Sequence, residues 1–153
     1  MICYMDKNEK DRWLPEMFRL FYENMAAFLG EYDAEREAWL REVSPALDKA
    51  PRQVILCLAE GKLAGYLQYY VRGSMLMVEE LQIGKQYQST SVFYSLCKFL
   101  AAGLPEEVET LEAYAHPGNE RSLGIMTRLG MKAVEGEELP FVHLRGKLPG
   151  NRI

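Results

Sequence analysis

The chain has 153 residues, of which 48% are apolar and 26% charged, and its formal net charge is −4. A domain commonly spans roughly 100 to 200 residues, so these values predict one globular domain over residues 1–153. Binding to nucleic acid is not expected, because 18 Lys and Arg side chains are outnumbered by 22 Asp and Glu. No apolar run approaches the roughly 18 residues that a membrane span needs, so membrane insertion is not expected either.

The cysteines indicate a reducing compartment. There are three, Cys3, Cys57 and Cys97, and none lies in a C-x-x-C or His-rich segment. This odd and scattered set predicts neither a disulfide framework nor a zinc site. The N-terminal residues alternate apolar and charged types without the apolar stretch of a targeting segment. We therefore expect a soluble cytoplasmic protein that holds no metal ion.

The first third of the chain predicts a short strand followed by helices. Residues 2–5 have the pattern of an edge strand, and apolar residues over 14–28 then recur at helical spacing. Pro15 is expected in the first turn of this helix. Residues 33–43 predict a second helix, and the Ser44–Pro45 pair is expected to start a separate short turn.

The pattern then changes to strands. Residues 53–58 and 62–71 predict a hairpin around the turn at Gly61, because both segments are rich in β-branched and aromatic side chains. The remaining predicted elements are strand 75–83, helix 92–102, strand 108–114, a helix ending at residue 129 that Asn119 caps, and strands 132–134 and 141–144.

Three segments resemble a known family. They are the hairpin Ala59–Tyr66, with a glycine where the sheet is approached closely, the junction Leu81–Gln88, and the helix Asn119–Met131, which opens N-x-x-S. Together with the order of the elements, these segments resemble the GNAT N-acetyltransferases. The resemblance implies the α+β acyl-CoA N-acyltransferase fold, in which a mostly antiparallel mixed sheet of about six to seven strands is flanked by about four helices.

The resemblance also implies an acetyl-CoA site at the junction between the fourth strand and the next helix, where backbone amides and the helix dipole favour a pyrophosphate. We align the family's loop, Q/R-x-x-G-x-G/A, with Gln88 to Phe93; a register starting at Gln86 stays open, as does a plain N-cap cluster at residues 89–91. The Phe93 ring is expected to crowd the phosphates. The implied cofactor-binding residues are Leu81, Ile83, Gln88, Ser89, Thr90, Ser91, Val92, Phe93, Asn119, Ser122 and Met126.

The implied catalytic base is Glu79, four residues before the strand end at Ile83, although a solvated pair of charges is the alternative interpretation. Alternation along the strand is expected to send Glu80 to the opposite face. The resemblance implies that the strand splays from the next one near Ile83 and that the pantetheine arm pairs with the exposed edge. A backbone N–H there is the expected donor to the thioester oxygen. The family's acidic tyrosine falls on Met126, whose thioether donates no proton. The other candidate acids are Tyr114, His116, Tyr94 and water.

Two functions are compatible with these residues. The first is N-acetyl transfer from acetyl-CoA to the amine of a small molecule or peptide in a ternary complex, and the acidic net charge suits a cationic amine. The second is a catalytically silent GNAT-like module that binds CoA or a protein partner, as Phe93 and Met126 suggest. Exposed aromatic side chains on strand 62–71 would favour the protein partner. The edge strands of such a sheet also allow a homodimer.

Overall fold

In the computed structural model, which describes residues 1–49, 51–88, 90–137 and 140–148, a seven-stranded sheet carries helices on both faces. The strands are β1 (Ile2–Tyr4), β2 (Gln53–Ala59), β3 (Lys62–Arg72), β4 (Met75–Ile83), β5 (Thr110–Ala115), β6 (Lys132–Ala133) and β7 (Val142–Lys147). The helices are α1 (Lys10–Met25), α2 (Tyr32–Leu47), α3 (Val92–Gly103) and α4 (Glu120–Arg128).

The strand order is β1-β2-β3-β4-β5-β7-β6, in which β4 and β5 are parallel and the other neighbours are antiparallel. This mostly antiparallel mixed sheet with four α-helices confirms the predicted fold class. No helix within the described ranges is both long and apolar enough to cross a membrane.

The two faces of the sheet bury different cores. On one face, Leu14 and Met17 of α1 pack with Val54 of β2 and Tyr66 of β3. On the other face, Leu96 of α3 packs with the strand residues that alternate with Val54 and Tyr66. Helix α4 covers β5 and β7. Because both faces of β2 are covered, its residues on either side of the pleat are apolar from Val54 to Ala59. We call these the α1 face and the α3 face.

Two predictions about proline in the N-terminal helices are wrong. Helix α1 begins at Lys10, four residues before the apolar pattern starts, so Pro15 lies in the second turn and on the exposed side. Helix α2 continues through Pro45 to Leu47 without a break. Pro45 stands in the last turn, where it removes one intrahelical N–H donor, and the helix ends two residues later at Leu47.

The hairpin between β2 and β3 is formed as predicted. Its turn places Glu60 at φ 52° and Gly61 at φ 78°, values that a two-residue hairpin turn requires. Gly65 is where the sheet is approached closely. A Cβ atom there would lie 3.1 Å from the Gln82 carbonyl oxygen and 3.1 Å from Val92 Cγ1.

A β-bulge in β4 changes the register of that strand. Gln68 of β3 lies opposite Glu80, whereas the next residue, Tyr69, lies opposite Val78, so Glu79 is an extra residue without a partner on β3. A bulge places two consecutive residues against one and bends the strand. The expectation that Glu79 and Glu80 point to opposite faces is therefore wrong. Both carboxylates lie on the α1 face, where Glu79 contacts the Gln68 side chain.

The bulge coincides with the end of the pairing between β4 and β5. The parallel ladder runs from Met75–Thr110 to Val78–Ala113, whereas β4 stays paired with β3 as far as Ile83. Residues 79–83 thus have one edge turned toward β5 without being paired to it. This wedge-shaped opening is the splay that the resemblance implied.

Candidate active site

The opening between β4 and β5 separates the predicted catalytic residues from most of the predicted cofactor residues. Glu79 lies on the α1 face, and so do Tyr114 and His116, because they alternate with Ala113 and Ala115, which face α4. The side chains of Ile83 and Val92 lie in the core beneath α3. A reactant held on one face can meet a reactant held on the other through this opening.

Glu79 forms a two-pronged ion pair with Arg52. The Arg52 Nε and Nη2 atoms lie 2.8 Å and 3.1 Å from the two oxygens of the Glu79 carboxylate. Gln68 Nε2 donates to the same carboxylate over 3.3 Å, and the Arg52 guanidinium stacks over the Tyr70 ring at 5.1 Å. This geometry gives the Glu79 carboxylate charge-assisted hydrogen bonds and fixes its direction.

Glu80 has a different environment. Burial raises the pKa of its carboxyl group from 4.5 to about 7, the Gln82 hydrogen bond opposes this rise, and the charge of Glu79 adds to it. The described partner of this carboxylate is the side-chain amide of Gln82, which is itself buried. A carboxyl group that titrates near neutrality is suited to accept and release a proton.

Side-chain amides fill the end of the opening near Ile83. Asn24 of α1 donates to Gln82 Oε1 over 2.8 Å and to the Ile83 carbonyl oxygen over 2.9 Å. Gln88 donates to Asn24 Oδ1 over 2.9 Å and to the same carbonyl oxygen over 3.1 Å. Arg121 of α4 in turn donates to the Gln88 side chain. These contacts join α1, β4, α4 and the loop before α3.

Tyr114 is exposed and stacks on a buried histidine. Its ring lies 4.4 Å from that of His143, and the two planes are 18° apart. Both nitrogens of His143 face carboxylates, Glu112 at 2.7 Å and Glu137 at 2.8 Å. Partial desolvation raises the pKa of the Tyr114 phenol, and the negative charges of Glu137 and Glu112 raise it further. The phenol therefore keeps its proton at neutral pH.

His116 belongs to an aromatic cluster at the end of β5. Its ring stacks on Phe28 at 4.2 Å and meets Phe141 edge-on at 6.4 Å. The His116 Nδ1 atom accepts a hydrogen bond from the Gly118 amide, which fixes the ring. Phe28 and Phe141 are both substantially exposed. The cluster forms an apolar rim on the α1 face.

The loop before α3 provides few side-chain caps. Thr90 Oγ1 donates to the Tyr87 carbonyl oxygen and accepts a long 3.4 Å bond from the Val92 amide, whereas the N-cap residue Ser91 makes no side-chain cap. Phe93 is partly buried and packs against the core beneath α3. That its ring crowds the phosphates stays a prediction. Ser89 lies outside the described residues.

The other predicted cofactor residues lie on β4 and on α4 or its cap. Asn119 caps α4, as predicted, by accepting a hydrogen bond from the Ser122 amide over 3.1 Å. Leu81 packs beneath α3, and Met126 packs beside β5 and β7. Tyr94, one of the candidate acids, is exposed on α3 and lies beside Lys98.

The sequence analysis gave no role to three residues of this region: Asn24, Gln82 and Arg121. Asn24 and Gln82 interrupt apolar patterns at positions that the structure buries or half-buries, and a polar residue at a core position is a signal worth following. Nothing in the spacing of Arg121 or His143 indicates their partners. Among the described residues, no group of three His, Cys, Asp or Glu side chains is arranged to hold a metal ion.

The comparisons with known proteins support the fold. No family model matches the chain, and no curated protein matches it. The PaiA N-acetyltransferase of Thermoplasma acidophilum, solved with coenzyme A, has a TM-score of 0.77 at 12% identity, covering 96% of this chain and 99% of that one. An acetyltransferase of Thermus thermophilus has a TM-score of 0.71 at 16% identity, covering 97% of this chain and 96% of that one.

An aminoglycoside 6′-N-acetyltransferase complexed with coenzyme A has a TM-score of 0.68 at 12% identity and is covered to 96%, as is this chain. Tetrahymena GCN5 has a TM-score of 0.71 at 10% identity. The architecture is thus that of an acyl-CoA N-acyltransferase. The chain has the fold of the GNAT N-acetyltransferases, as the three sequence segments implied.

Proposed function

We propose that the protein transfers an acetyl group from acetyl-CoA to an amine by direct attack in a ternary complex. The observation that carries this proposal is the opening between β4 and β5, which has the Glu80 carboxylate on the α1 face and the start of α3 on the other side. An amine on the α1 face and a thioester reached from the α3 face would meet there. The solved acetyltransferases with the same fold support the proposal.

The residues present fit a pyrophosphate-bearing cofactor. Helix α3 has no acidic residue in its first turn, and its N-cap residue Ser91 makes no side-chain cap, which suits an anion. Arg121 donates to Gln88 in the preceding loop and adds a positive charge. The loop would hold the phosphates. The β4 edge at residues 79–82, which is not paired with β5, would hold the pantetheine arm. Bound acetyl-CoA would supply the activated thioester.

Glu80 is the better base of the two neighbouring carboxylates. The pKa near 7 lets it take a proton from an ammonium group at neutral pH, whereas Glu79 is committed to Arg52. The amine nitrogen then forms the new bond to the acetyl carbon, the bond to sulfur breaks, and the thiolate requires a proton. Tyr114 and His116 stay the proposed acids, because both follow Ala113, where the pairing of β5 with β4 ends. Met126 is excluded by its chemistry.

The proposed acceptor is the amine of a small molecule or peptide with cationic character. Glu79, Glu80 and Glu112 lie on the α1 face with Tyr114, and exposed aromatic rings provide an apolar rim. Carboxylates and aromatic faces both attract an ammonium ion. The three cysteines are free thiols, which is consistent with a reducing cytoplasm.

The proposal is tested by titrating the protein with acetyl-CoA in a calorimeter and by measuring CoA release with a panel of amines. Replacement Glu80→Gln is expected to lower turnover by about 10²- to 10⁴-fold with little change in acetyl-CoA affinity. Replacement Glu79→Gln is the matched comparison, expected to cost less than tenfold. The reverse order of the two effects would assign the base to Glu79, as the sequence resemblance implies.

Absence of acetyl-CoA binding at millimolar concentration would refute the proposal. Binding without turnover of any amine would favour the catalytically silent module. The observation that would favour a protein partner is missing on β3, because Tyr66 and Tyr69 are buried and Tyr70 is covered by Arg52 and Arg72.

A further inference from the structure

The side-chain amides at the end of the opening form one continuous chain from α4 to Glu80. Arg121 donates to Gln88 Oε1, Gln88 donates to Asn24 Oδ1, Asn24 donates to Gln82 Oε1, and Gln82 donates to the Glu80 carboxylate. Four hydrogen bonds thus link a guanidinium group on one element to a carboxylate on another. The chain crosses the loop before α3, which is the proposed phosphate site.

The direction of the chain is fixed by one backbone group. The Ile83 carbonyl oxygen can only accept, and it receives hydrogen bonds from Asn24 Nδ2 and Gln88 Nε2. Both amides must therefore turn their nitrogens toward Ile83 and β4. The second hydrogens of the two amides point along the chain to Gln82 and Asn24. Each donor faces the Glu80 end, and each acceptor faces Arg121.

Such an alignment has an electrostatic consequence. Hydrogen bonds that point the same way polarise one another, and charged ends strengthen the effect. The cation at Arg121 therefore favours the negative charge at Glu80, although the two side chains are not in contact. Arg121 is exposed, whereas Gln82 is buried and Asn24 half-buried. The amides of Asn24 and Gln82 are therefore held in place by their surroundings, whereas Arg121 at the outer end of the chain is accessible to a ligand.

We propose that Arg121, Gln88, Asn24 and Gln82 are positioning residues that couple Glu80 to the occupancy of the cofactor loop. This inference rests on the proposed function. Arg121 turns from Gln88 to the phosphates when they occupy the loop, and Glu80 then loses the cationic end of the chain. Glu80 becomes the stronger base when the acetyl donor is in place, so proton removal from the amine follows the binding of the donor.

The other groups that face Glu80 act independently of this chain. The negative charge of Glu79 lies beside it and disfavours its ionised form, and the Tyr66 hydroxyl on β3 is close enough to feel its charge. Arg52 is paired with Glu79. In the part of the chain that the structure describes, none of these groups contacts Arg121, so a change at Arg121 reaches Glu80 through the amides.

The first experiment needs no catalysis. The carboxyl ¹³C resonance of Glu80, assigned by its loss in Glu80→Gln, is titrated in the native protein, in Arg121→Met and in Gln82→Met. Both variants are expected to titrate at higher pH than the native protein, since each removes a donor. Arg128→Met, an exposed arginine of the same helix, is the control and should titrate like the native protein. An unchanged Glu80 titration in Arg121→Met would overturn the coupling.

The second experiment adds CoA. Coupling is reciprocal, so a ligand that weakens the ionised form of Glu80 must bind more tightly when Glu80 is protonated. Calorimetry is expected to show proton uptake on CoA binding and an affinity about two- to threefold higher at pH 6 than at pH 8, with both effects lost in Arg121→Met. Equal pH dependence in the two proteins would count against the inference. No CoA binding at all would refute the proposed function, and the first experiment would still decide whether the chain couples Arg121 to Glu80.

Discussion

Tyr66 carries a fully buried hydroxyl group on the α1 face, and this group has no hydrogen-bond partner among the described residues. An unsatisfied buried hydroxyl costs roughly 1–3 kcal/mol, because it has lost water without gaining a partner. Burial raises the pKa of this phenol well above its usual value, and the charge of Glu80 acts in the same direction. The Tyr66 ring is itself fully buried among apolar side chains, so only the hydroxyl group is destabilising.

Replacement Tyr66→Phe is expected to raise the free energy of unfolding by about 1 kcal/mol, since it removes the unsatisfied group and keeps the ring. Tyr69→Phe is the matched control. Its hydroxyl donates to the Tyr4 hydroxyl over 3.3 Å, so that variant should lose stability. Urea denaturation measures both. A less stable Tyr66→Phe protein would show that the Tyr66 hydroxyl has a partner, such as a buried water molecule.

The partners of individual side chains could be predicted from the sequence only where the contact is local. The sequence identified the two adjacent glutamates, but their different roles depend on their partners. Glu79 pairs with Arg52, which is distant in sequence, and Glu80 accepts from Gln82, which lies beyond the bulge on the same strand. Asn119 was correctly predicted as a cap, because its hydrogen bond is local. Local contacts can be predicted from spacing, whereas the contacts of Arg121 and His143 join separate elements.

At the scale of elements, the junction of β3, β4 and α3 depends on close packing. Gly65 lies opposite Ile83 at the end of β4, and Val92 at the start of α3 fills the space where its side chain would be. The loop before α3 can therefore come close to the end of β4. The position of the proposed phosphate site relative to Ile83 follows from this contact.

Replacement Gly65→Ala is expected to destabilise the fold by about 1–3 kcal/mol, because the new Cβ atom meets a backbone oxygen and a methyl group at 3.1 Å. Gly124→Ala in the interior of α4 is the control. Its nearest neighbour is the end of the Arg128 side chain at 3.8 Å, so that change should stabilise by up to about 1 kcal/mol. Equal effects in urea denaturation would mean that α3 moves away without cost.

Most elements were predictable, because helix and strand periods in the sequence are set by which side chains are buried. The bounds of β4 agree with the prediction, and α3 differs by one residue at its end. The predicted helix bounds at Pro15 and Pro45 were wrong, because both prolines are tolerated inside helices whose ends extend beyond the apolar pattern. The tertiary contacts of Lys10, which donates to the Ser44 carbonyl oxygen, link those helix ends.

For the whole molecule, Glu80 makes stability depend on pH. Burial raises the pKa of its carboxyl group to about 7 in the folded state, above the ordinary 4.5. The folded protein therefore binds this proton more tightly than the unfolded chain does. The stability contribution is fully present below about pH 4.5 and is lost as the pH rises through about 7, at a cost of roughly 3 kcal/mol.

This linkage predicts that Glu80→Gln becomes progressively more stable than the native protein as the pH increases from 5 to 8. The measurement is the free energy of unfolding in urea at each pH for both proteins. Taking the difference between the two cancels the contributions of all groups that the two proteins share. A difference that stays constant over this range would contradict the assigned environment of Glu80.

The fold as a whole was predictable from the order of elements and from the three segments that resemble the GNAT family. The opening in the sheet was expected from the resemblance alone, since no property of residues 75–83 by themselves shows where pairing with β5 stops. Pairing depends on two strands that are separated by α3 along the chain. Which of the two glutamates is the proposed base depends on the register of β4 and not on residue type, since both candidates are glutamates.

The bulge at Glu79 has a consequence for how the protein tolerates insertions and deletions. Along a strand, side chains alternate between the two faces with a period of two residues. The extra residue Glu79 interrupts this alternation halfway along β4. Loss of any one residue from Val78 to Glu80 would restore regular alternation and would leave residues 81–83 in their present register with β3. Deletion of one codon would thereby leave a single carboxylate on the α1 face while the pairing of β3 with β4 is kept, which makes this short segment a point where function can be lost without loss of the fold.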